Sequence, residues 1–207
     1  MKILVNNIIR HNATVTRQRR ELQNRHKAVV LWFTGLPSSG KSTIAHTVEE
    51  KLHQMGCHTF VFDGDNVRHG LCSDLGFSKM DRTENIRRIG EMSKLFVEAG
   101  IIVLAAFVSP FRSDRRKLKE LFKDGDFIDI FCSCPVEICA QRDPKGHYDM
   151  AKTGKLKDFT GISAPYESSE HSAITLKTAE MTIGECANIV IAYMINNKIL
   201  TIQNIDE

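Results

Sequence analysis

Gly35-Leu36-Pro37-Ser38-Ser39-Gly40-Lys41-Ser42 constrains this chain more than any other stretch. It fits the pattern G-x-x-x-x-G-K-[ST], and it lies between an apolar, β-rich run from Ala28 to Phe33 and a helical pattern that begins near Gly40. That is the setting a phosphate-binding loop requires. Glycines let the backbone curl so that successive N–H groups point at phosphate oxygens, and the following helix presents its positive end. Lys41 adds a point charge, and the Ser42 hydroxyl can ligate Mg²⁺. On pattern alone, a kinase, a GTPase, an ATPase motor and a nucleic-acid remodelling factor all remain open.

The rest of the chain repeats the same alternation. Thr59 to Phe62, Ile101 to Phe107 and Phe127 to Phe131 read as buried strands, and helices are expected from near Glu84, Ser113 and Pro135 and from about Thr182 to Asn196. Strand and helix in alternation predict an α/β fold, a parallel sheet covered by helices on both faces. With 207 residues, 42% of them apolar and 26% charged, the chain fits one globular domain. The expected division is a basic leader over 1–27, packed on or flanking a kinase-like domain over 28–207. Within it, the polar, glycine- and lysine-containing segment 142–165 has no clear period, as a mobile lid over a site would not.

A net charge of +3 is far from the basic footprint of a nucleic-acid coat, so no nucleic-acid partner is expected. The leader lacks the long apolar segment of a secretory signal or membrane span, and a soluble cytoplasmic protein without a membrane partner is the default. The six cysteines, Cys57, Cys72, Cys132, Cys134, Cys139 and Cys186, form no C-x-x-C pair and read as reduced thiols, with the cluster at 132 to 139 open to a redox role.

Beyond the loop, Asp63 and Asp65 follow a strand, and at the carboxyl end of a strand in such a sheet a carboxylate lies in the ligand crevice. There Asp63 can hold Mg²⁺ or take a proton from an attacking hydroxyl. Alternatively, Asp63-Gly64-Asp65 is a solvated turn with Asp65 as a helix N-cap. Arg68, Phe77, Arg82 and Asn85 then combine fixed positive charge with an aromatic face, a set that suits a nucleotide-like anion. Each one alone reads equally as a solvated helix face or a core residue.

Together, Trp32-Phe-Thr-Gly-Leu-Pro-Ser-Ser-Gly-Lys-Ser-Thr43, Asp63-Gly-Asp-Asn-Val-Arg68, Asp74-Leu-Gly-Phe-Ser78 and Asp81-Arg-Thr-Glu-Asn-Ile-Arg-Arg88 resemble the adenylylsulfate kinase family. Ala106-Phe-Val-Ser-Pro-Phe-Arg112, Arg142-Asp-Pro-Lys-Gly-His-Tyr148, Lys157-Asp-Phe-Thr-Gly161 and Ala164-Pro-Tyr-Glu167 resemble its later blocks in the same order, and Val15-Thr-Arg17 resembles its usual lead-in. Pro37 and Ser38, the thiols Cys134 and Cys139, and Ser163-Ala164 depart from the common pattern without replacing a residue of essential chemistry.

The resemblance implies a kinase that moves the γ-phosphate of ATP to the 3′-hydroxyl of adenylyl sulfate, with Mg²⁺ as cofactor. Gly35 to Thr43 would cradle the ATP phosphates, with Lys41 on the β/γ oxygens and Ser42 on the metal. Asp63 would assist the metal or the attacking hydroxyl. Phe77 and Phe159 would sandwich the acceptor's adenine, while Asp65, Arg68, Arg82, Asn85 and Lys145 would contact the acceptor. Arg142 would neighbour the ATP adenine. Ser109 occupies the family's phosphoserine position, and two routes stay open there: direct attack by the 3′-hydroxyl, the favoured one, or relay through a phosphoserine. A homodimer and functional coupling to ATP sulfurylase are also implied. A kinase for a sugar acid or nucleoside monophosphate would share the loop but would not need the two aromatic faces. A regulatory nucleotide-binding module would bind ATP without acceptor-dependent ADP release.

Overall fold

The computed structural model describes residue 11 and residues 13–200. Its elements run α1 (Arg17–Asn24), β1 (Val30–Thr34), α2 (Lys41–Gln54), β2 (Thr59–Asp63), α3 (Gly64–Val67), α4 (Lys79–Glu98), β3 (Ile102–Ala106), α5 (Arg112–Lys119), β4 (Phe127–Ser133), α6 (Val136–Gln141), α7 (His147–Lys152), β5 (Ile174–Lys177) and α8 (Ile183–Asn196). The five strands form one sheet in the order β2-β3-β1-β4-β5, and every pairing is parallel.

β1 is buried along its whole length, and its continuous apolar run is what a central parallel strand needs, since both of its faces are covered. Successive side chains point to opposite faces. Val29, Leu31 and Phe33 therefore join Ile44, Val48 and Leu52 of α2 and Val190, Ile191 and Met194 of α8 in one core. Val30 and Trp32 join Ile86, Ile89 and Val97 of α4 and Leu118 of α5 in the other. Trp32 stacks on Phe107 with ring centroids 5.3 Å apart. A third, smaller cluster joins Cys139 of α6 to Tyr148, Ala151 and Phe159 of the segment 142–165, with Leu36 against it.

The expected strands and helices are present; the structure adds α1, α3, α7 and β5 and starts α4 earlier. β5 was not anticipated: it is a four-residue edge strand whose alternation of buried and exposed residues is too short to stand out from its polar surroundings. α4 begins at Lys79 rather than near Glu84, because the Ser78 side chain accepts a hydrogen bond from the Asp81 backbone N–H and caps the helix earlier. α7 falls inside the segment 142–165, which showed no period.

Within the basic leader, residues 1–10 and 12 lie outside the described residues. Within the remainder, Arg17–Asn24 forms α1, capped by Thr16. Arg17 donates to Asp126 Oδ1 at 2.8 Å and to the Ala28 carbonyl at 2.6 Å, and Asn24 donates to the Gly100 carbonyl at 2.8 Å. Burial of the Arg17 pair with Asp126 is offset by bidentate, charge-assisted bonding, so α1 is tied to the base of the sheet.

Candidate active site

The carboxyl ends of β1 and β2 carry the two halves of the site. From Thr34 the chain turns through Gly35, where a Cβ would stand 2.7 Å from the Cys132 carbonyl of β4, so only glycine allows this approach of loop to sheet. The loop closes on itself through the Ser39 N–H to the Leu36 carbonyl, 3.2 Å, and α2 begins at Lys41. Ser39 and Lys41 are buried, while Ser42 and Thr43 stand exposed at the first turn of α2. The Lys41 ammonium lies within the curl, 2.6 Å from the Leu36 carbonyl and 3.4 Å from Ser39 Oγ. Burial pushes its pKa down, and the charges of Asp63 and Asp65, among others, oppose that.

Asp63 ends β2 and its Oδ1 accepts from the Asp65 N–H at 2.9 Å, so Asp63 caps α3. The alternative that made Asp65 the cap is corrected: the extended backbone of Asp63, not of Asp65, supplies the acceptor geometry. Asp65 is exposed and forms an ion pair with Lys145 of the lid segment.

Arg68, Phe77 and Arg82 converge. The Arg68 guanidinium lies 4.3 Å from the Phe77 ring centroid and that of Arg82 lies 5.6 Å away. Arg68 donates to the carbonyls of Leu75 and Gly76, which fixes the turn that presents Phe77. Arg82 donates to the Phe77 carbonyl at 3.0 Å and across to the Asp158 carbonyl at 2.7 Å, so Phe77 and the segment leading into Phe159 are held by one side chain. Phe77 is 59% exposed and Phe159 8% exposed. Asn85 is buried one turn along α4, and its Nδ2 has no hydrogen-bond partner among the described residues.

In the lid segment, Arg142 donates to the Thr178 carbonyl at 2.8 Å, beyond the end of β5. Tyr148 donates to the Pro37 carbonyl of the phosphate loop at 2.9 Å. Gly161, at φ 93°, packs where a Cβ would stand 2.7 Å from Leu36 Cδ2.

Ser109 is 2% exposed and adopts φ 38°, a left-handed conformation that is costly for serine. Its hydroxyl accepts from the Trp32 indole N–H at 3.1 Å and donates to Thr34 Oγ1 at 2.9 Å, and Thr34 in turn donates to the Val108 carbonyl at 2.8 Å. The Ser109 proton and its neighbours' donors are thereby all used. Arg115, buried beneath, donates to the Ser109 carbonyl at 2.6 Å and to the Glu167 carbonyl at 2.7 Å, which holds the strained turn.

Sequence reasoning missed Thr34, Arg115, Tyr148 and Tyr166 as parts of this surround. Tyr148 and Tyr166 stood inside quoted blocks, but their partners are 111 and 132 residues away along the chain, and no local pattern reports such pairings. The cysteines are all free; burial pushes the Cys132 and Cys139 thiols up to about 12, the reverse of what a reactive thiol needs.

Comparisons with known proteins identify the family. The family model for adenylylsulphate kinase matches residues 27–177. An adenylyl-sulfate kinase of Acaryochloris marina is 57% identical over 188 residues, covering 91% of this chain and 92% of its own. One from Marinobacter nauticus is 54% identical over 190 residues, covering 92% and 96%. Among solved structures, the Mycobacterium tuberculosis APS kinase in complex with AMPPNP and APS superposes with a TM-score of 0.79 at 40% identity, covering 82% of this chain and 99% of that one. A gluconokinase from Sinorhizobium meliloti, 18% identical with a TM-score of 0.53 over 84% and 95%, shares the fold alone. With this likeness over nearly its whole length, the chain belongs to the adenylylsulphate kinase family.

Proposed function

We propose that this chain transfers the γ-phosphate of ATP to the 3′-hydroxyl of adenylyl sulfate, giving 3′-phosphoadenylyl sulfate and ADP. The observation that carries the reading is the Arg82 bridge: one side chain donates to the Phe77 carbonyl and to the carbonyl of Asp158, the residue before Phe159, which supports a pair of aromatic walls for the acceptor. A sugar-acid acceptor would give two aromatic faces nothing to stack on, whereas an adenine fits between them.

In this reading the loop N–H groups from Gly35 to Thr43 and the Lys41 ammonium hold the ATP phosphates and stabilise charge on the transferring group. Ser42 and Asp63 offer hard oxygen donors of the kind Mg²⁺ takes, one exposed at the start of α2 and one at the end of β2, and the ion would neutralise phosphate charge when bound. Asp63 also orients the 3′-hydroxyl and accepts its proton. Arg68 and Arg82 bind the phosphosulfate oxygens, Asn85 offers its buried amide, and Lys145 with Asp65 closes over the acceptor. Arg142 lines the ATP adenine. The lid comprises 142–165 within a kinase domain of 28–207 that the leader 1–27 flanks.

Transfer is direct. A Ser109 phosphoenzyme would require a hydroxyl that is exposed and has a base; this one is buried and its proton is given to Thr34. Among the described residues no helix is long and apolar enough to cross a membrane. The family resemblance further supports a cytoplasmic homodimer working alongside an ATP sulfurylase that supplies the acceptor.

A coupled ADP-release assay tests the reading. Release should require adenylyl sulfate and should fail with analogues lacking the sulfate or the 3′-hydroxyl. Equal release with a sugar acid or with AMP would overturn the choice of acceptor.

A further inference from the structure

Tyr148 sits on α7, buried, and touches both halves of the site without belonging to either. Its hydroxyl donates to the Pro37 carbonyl at 2.9 Å, in the middle of the phosphate loop. Its ring meets Phe159 edge to face, with centroids 4.9 Å apart and planes at 81°. Its own backbone N–H donates to Asp143 Oδ2 at 2.7 Å, which anchors the start of α7 to the turn after α6.

The seam has a second point of contact. Gly161 packs against Leu36, the loop residue before Pro37, so closely that a Cβ would stand 2.7 Å from Leu36 Cδ2. Between these two contacts, Phe159 is fixed by its N–H to Ser163 Oγ, 2.9 Å, and by its neighbour's carbonyl on Arg82. A tyrosine that served only as core could satisfy its hydroxyl on any nearby carbonyl. This one reaches the middle of the loop that would hold the donor phosphates, and its ring packs edge to face on Phe159.

We infer that Tyr148 is a positioning residue for phosphoryl transfer, holding the phosphate loop and the Phe159 wall in one register through its Pro37 hydrogen bond and its edge-to-face contact. Transfer needs the attacking oxygen in line with the phosphorus, and a misplacement of about 1 Å costs on the order of a hundredfold in rate. One hydrogen bond set across the seam between the two substrates governs that distance without touching either substrate. The inference rests on the reading that Phe159 faces the acceptor.

Tyr148→Phe removes the hydroxyl and keeps the ring. With both substrates saturating, kcat should fall about tenfold, the equivalent of one hydrogen bond, while KM for ATP and for adenylyl sulfate stays within about threefold. The share of ADP released without phosphorylated acceptor should rise, because water attacks when the acceptor is out of line. A residue that only stabilises the fold would lower the melting temperature and leave both kcat and that share unchanged, and this result would overturn the inference. Should Tyr148→Phe not fold, Leu36→Ala loosens the other contact of the same seam; it should lower kcat and raise uncoupled ADP release, and unchanged values would equally overturn it. Phe159→Ala, read as the dissociation constant for adenylyl sulfate, tests the underlying reading separately. A normal constant there combined with a lowered kcat in Tyr148→Phe would remove the stacking role and leave the seam.

Discussion

The donor side and the acceptor side of this crevice are built in different ways. On the proposed donor side, one contiguous stretch, Gly35 to Thr43, running from the end of a fully buried strand into the first turn of α2, would make the whole phosphate cradle, and Lys41 is buried within the same curl. On the acceptor side, the turn after α3, the first turns of α4 and the lid segment each contribute one or two groups, and several of these are exposed. Backbone dipoles held by a strand and a helix can cradle any nucleotide triphosphate, so such a donor side would say only that phosphate is bound. In the proposed reading, selection of the acceptor falls to side chains brought from distant parts of the chain, where a small shift would change which molecule fits.

The comparison can be broken first at Lys41. Lys41→Ala deletes the only cationic side chain of the loop, so turnover should fall by about 3–4 kcal/mol of barrier, on the order of several hundredfold, while the melting temperature changes little because backbone bonds hold the loop. Circular dichroism and a turnover assay on the purified variant check this. Near-normal turnover would remove the loop from the mechanism.

Phe159 and Phe77 should then separate. Phe159 is buried among Tyr148, Cys139 and Ala151, so Phe159→Ala should cost about 3–5 kcal/mol of stability in addition to weakening the acceptor. Denaturant unfolding measures the first effect. A change below about 1 kcal/mol would mean that this cluster adds little to the fold.

Ser109→Ala sharpens the contrast between structural and chemical hydroxyls. It leaves the Trp32 N–H without its acceptor, which should cost about 1–3 kcal/mol of stability, yet turnover per folded molecule should remain substantial. Loss of turnover in a folded variant that still binds both substrates would show an obligatory phosphoenzyme.

Legibility followed the same division. The phosphate loop, four strands and the helix beginning near Gly40 were readable because each is a contiguous pattern in sequence with a physical requirement at fixed spacing. Phe77, Arg82 and Asn85 were ambiguous on pattern, and only the family resemblance gave them roles. The Arg82 link to the Asp158 carbonyl spans 76 residues and cannot be seen in any window of sequence. β5 was lost to its brevity, and Tyr148 to its distant partner, because a buried tyrosine in a polar stretch carries no signal of what its hydroxyl meets. Ser109 carried a role only through the family resemblance, and its burial and spent hydroxyl depend on Trp32 and Thr34, far away along the chain.

The smallest effect lies far from the crevice, at the base of the sheet. His26 is buried and its Nε2 accepts from the His58 N–H at 3.1 Å, a bond that only the neutral ring can accept. Burial pushes its pKa below the ordinary 6.5, against the Lys27 carbonyl and the distant Glu21, with His58 adding to the lowering. A depressed pKa means that the unfolded chain takes up the proton first. The contribution to stability is therefore whole above about pH 6.5 and is lost progressively as pH falls below it. Thermal unfolding between pH 7.5 and pH 5 should show this slope in the parent, and His26→Gln should flatten it; an equal slope in both would place the titration elsewhere.

The most direct test of the acceptor assignment is Phe77→Ala, because Phe77 is 59% exposed and can be truncated without opening the core. Separate dissociation constants for ATP and adenylyl sulfate, with the melting temperature, are measured on the variant and the parent. Stacking on the acceptor's adenine should make adenylyl sulfate bind about ten- to a hundredfold more weakly, equivalent to about 1–3 kcal/mol, with ATP affinity and melting nearly unchanged. Unchanged affinity for adenylyl sulfate in a folded variant would contradict the sandwich, and with it the structural reason for choosing adenylyl sulfate over a simpler acceptor.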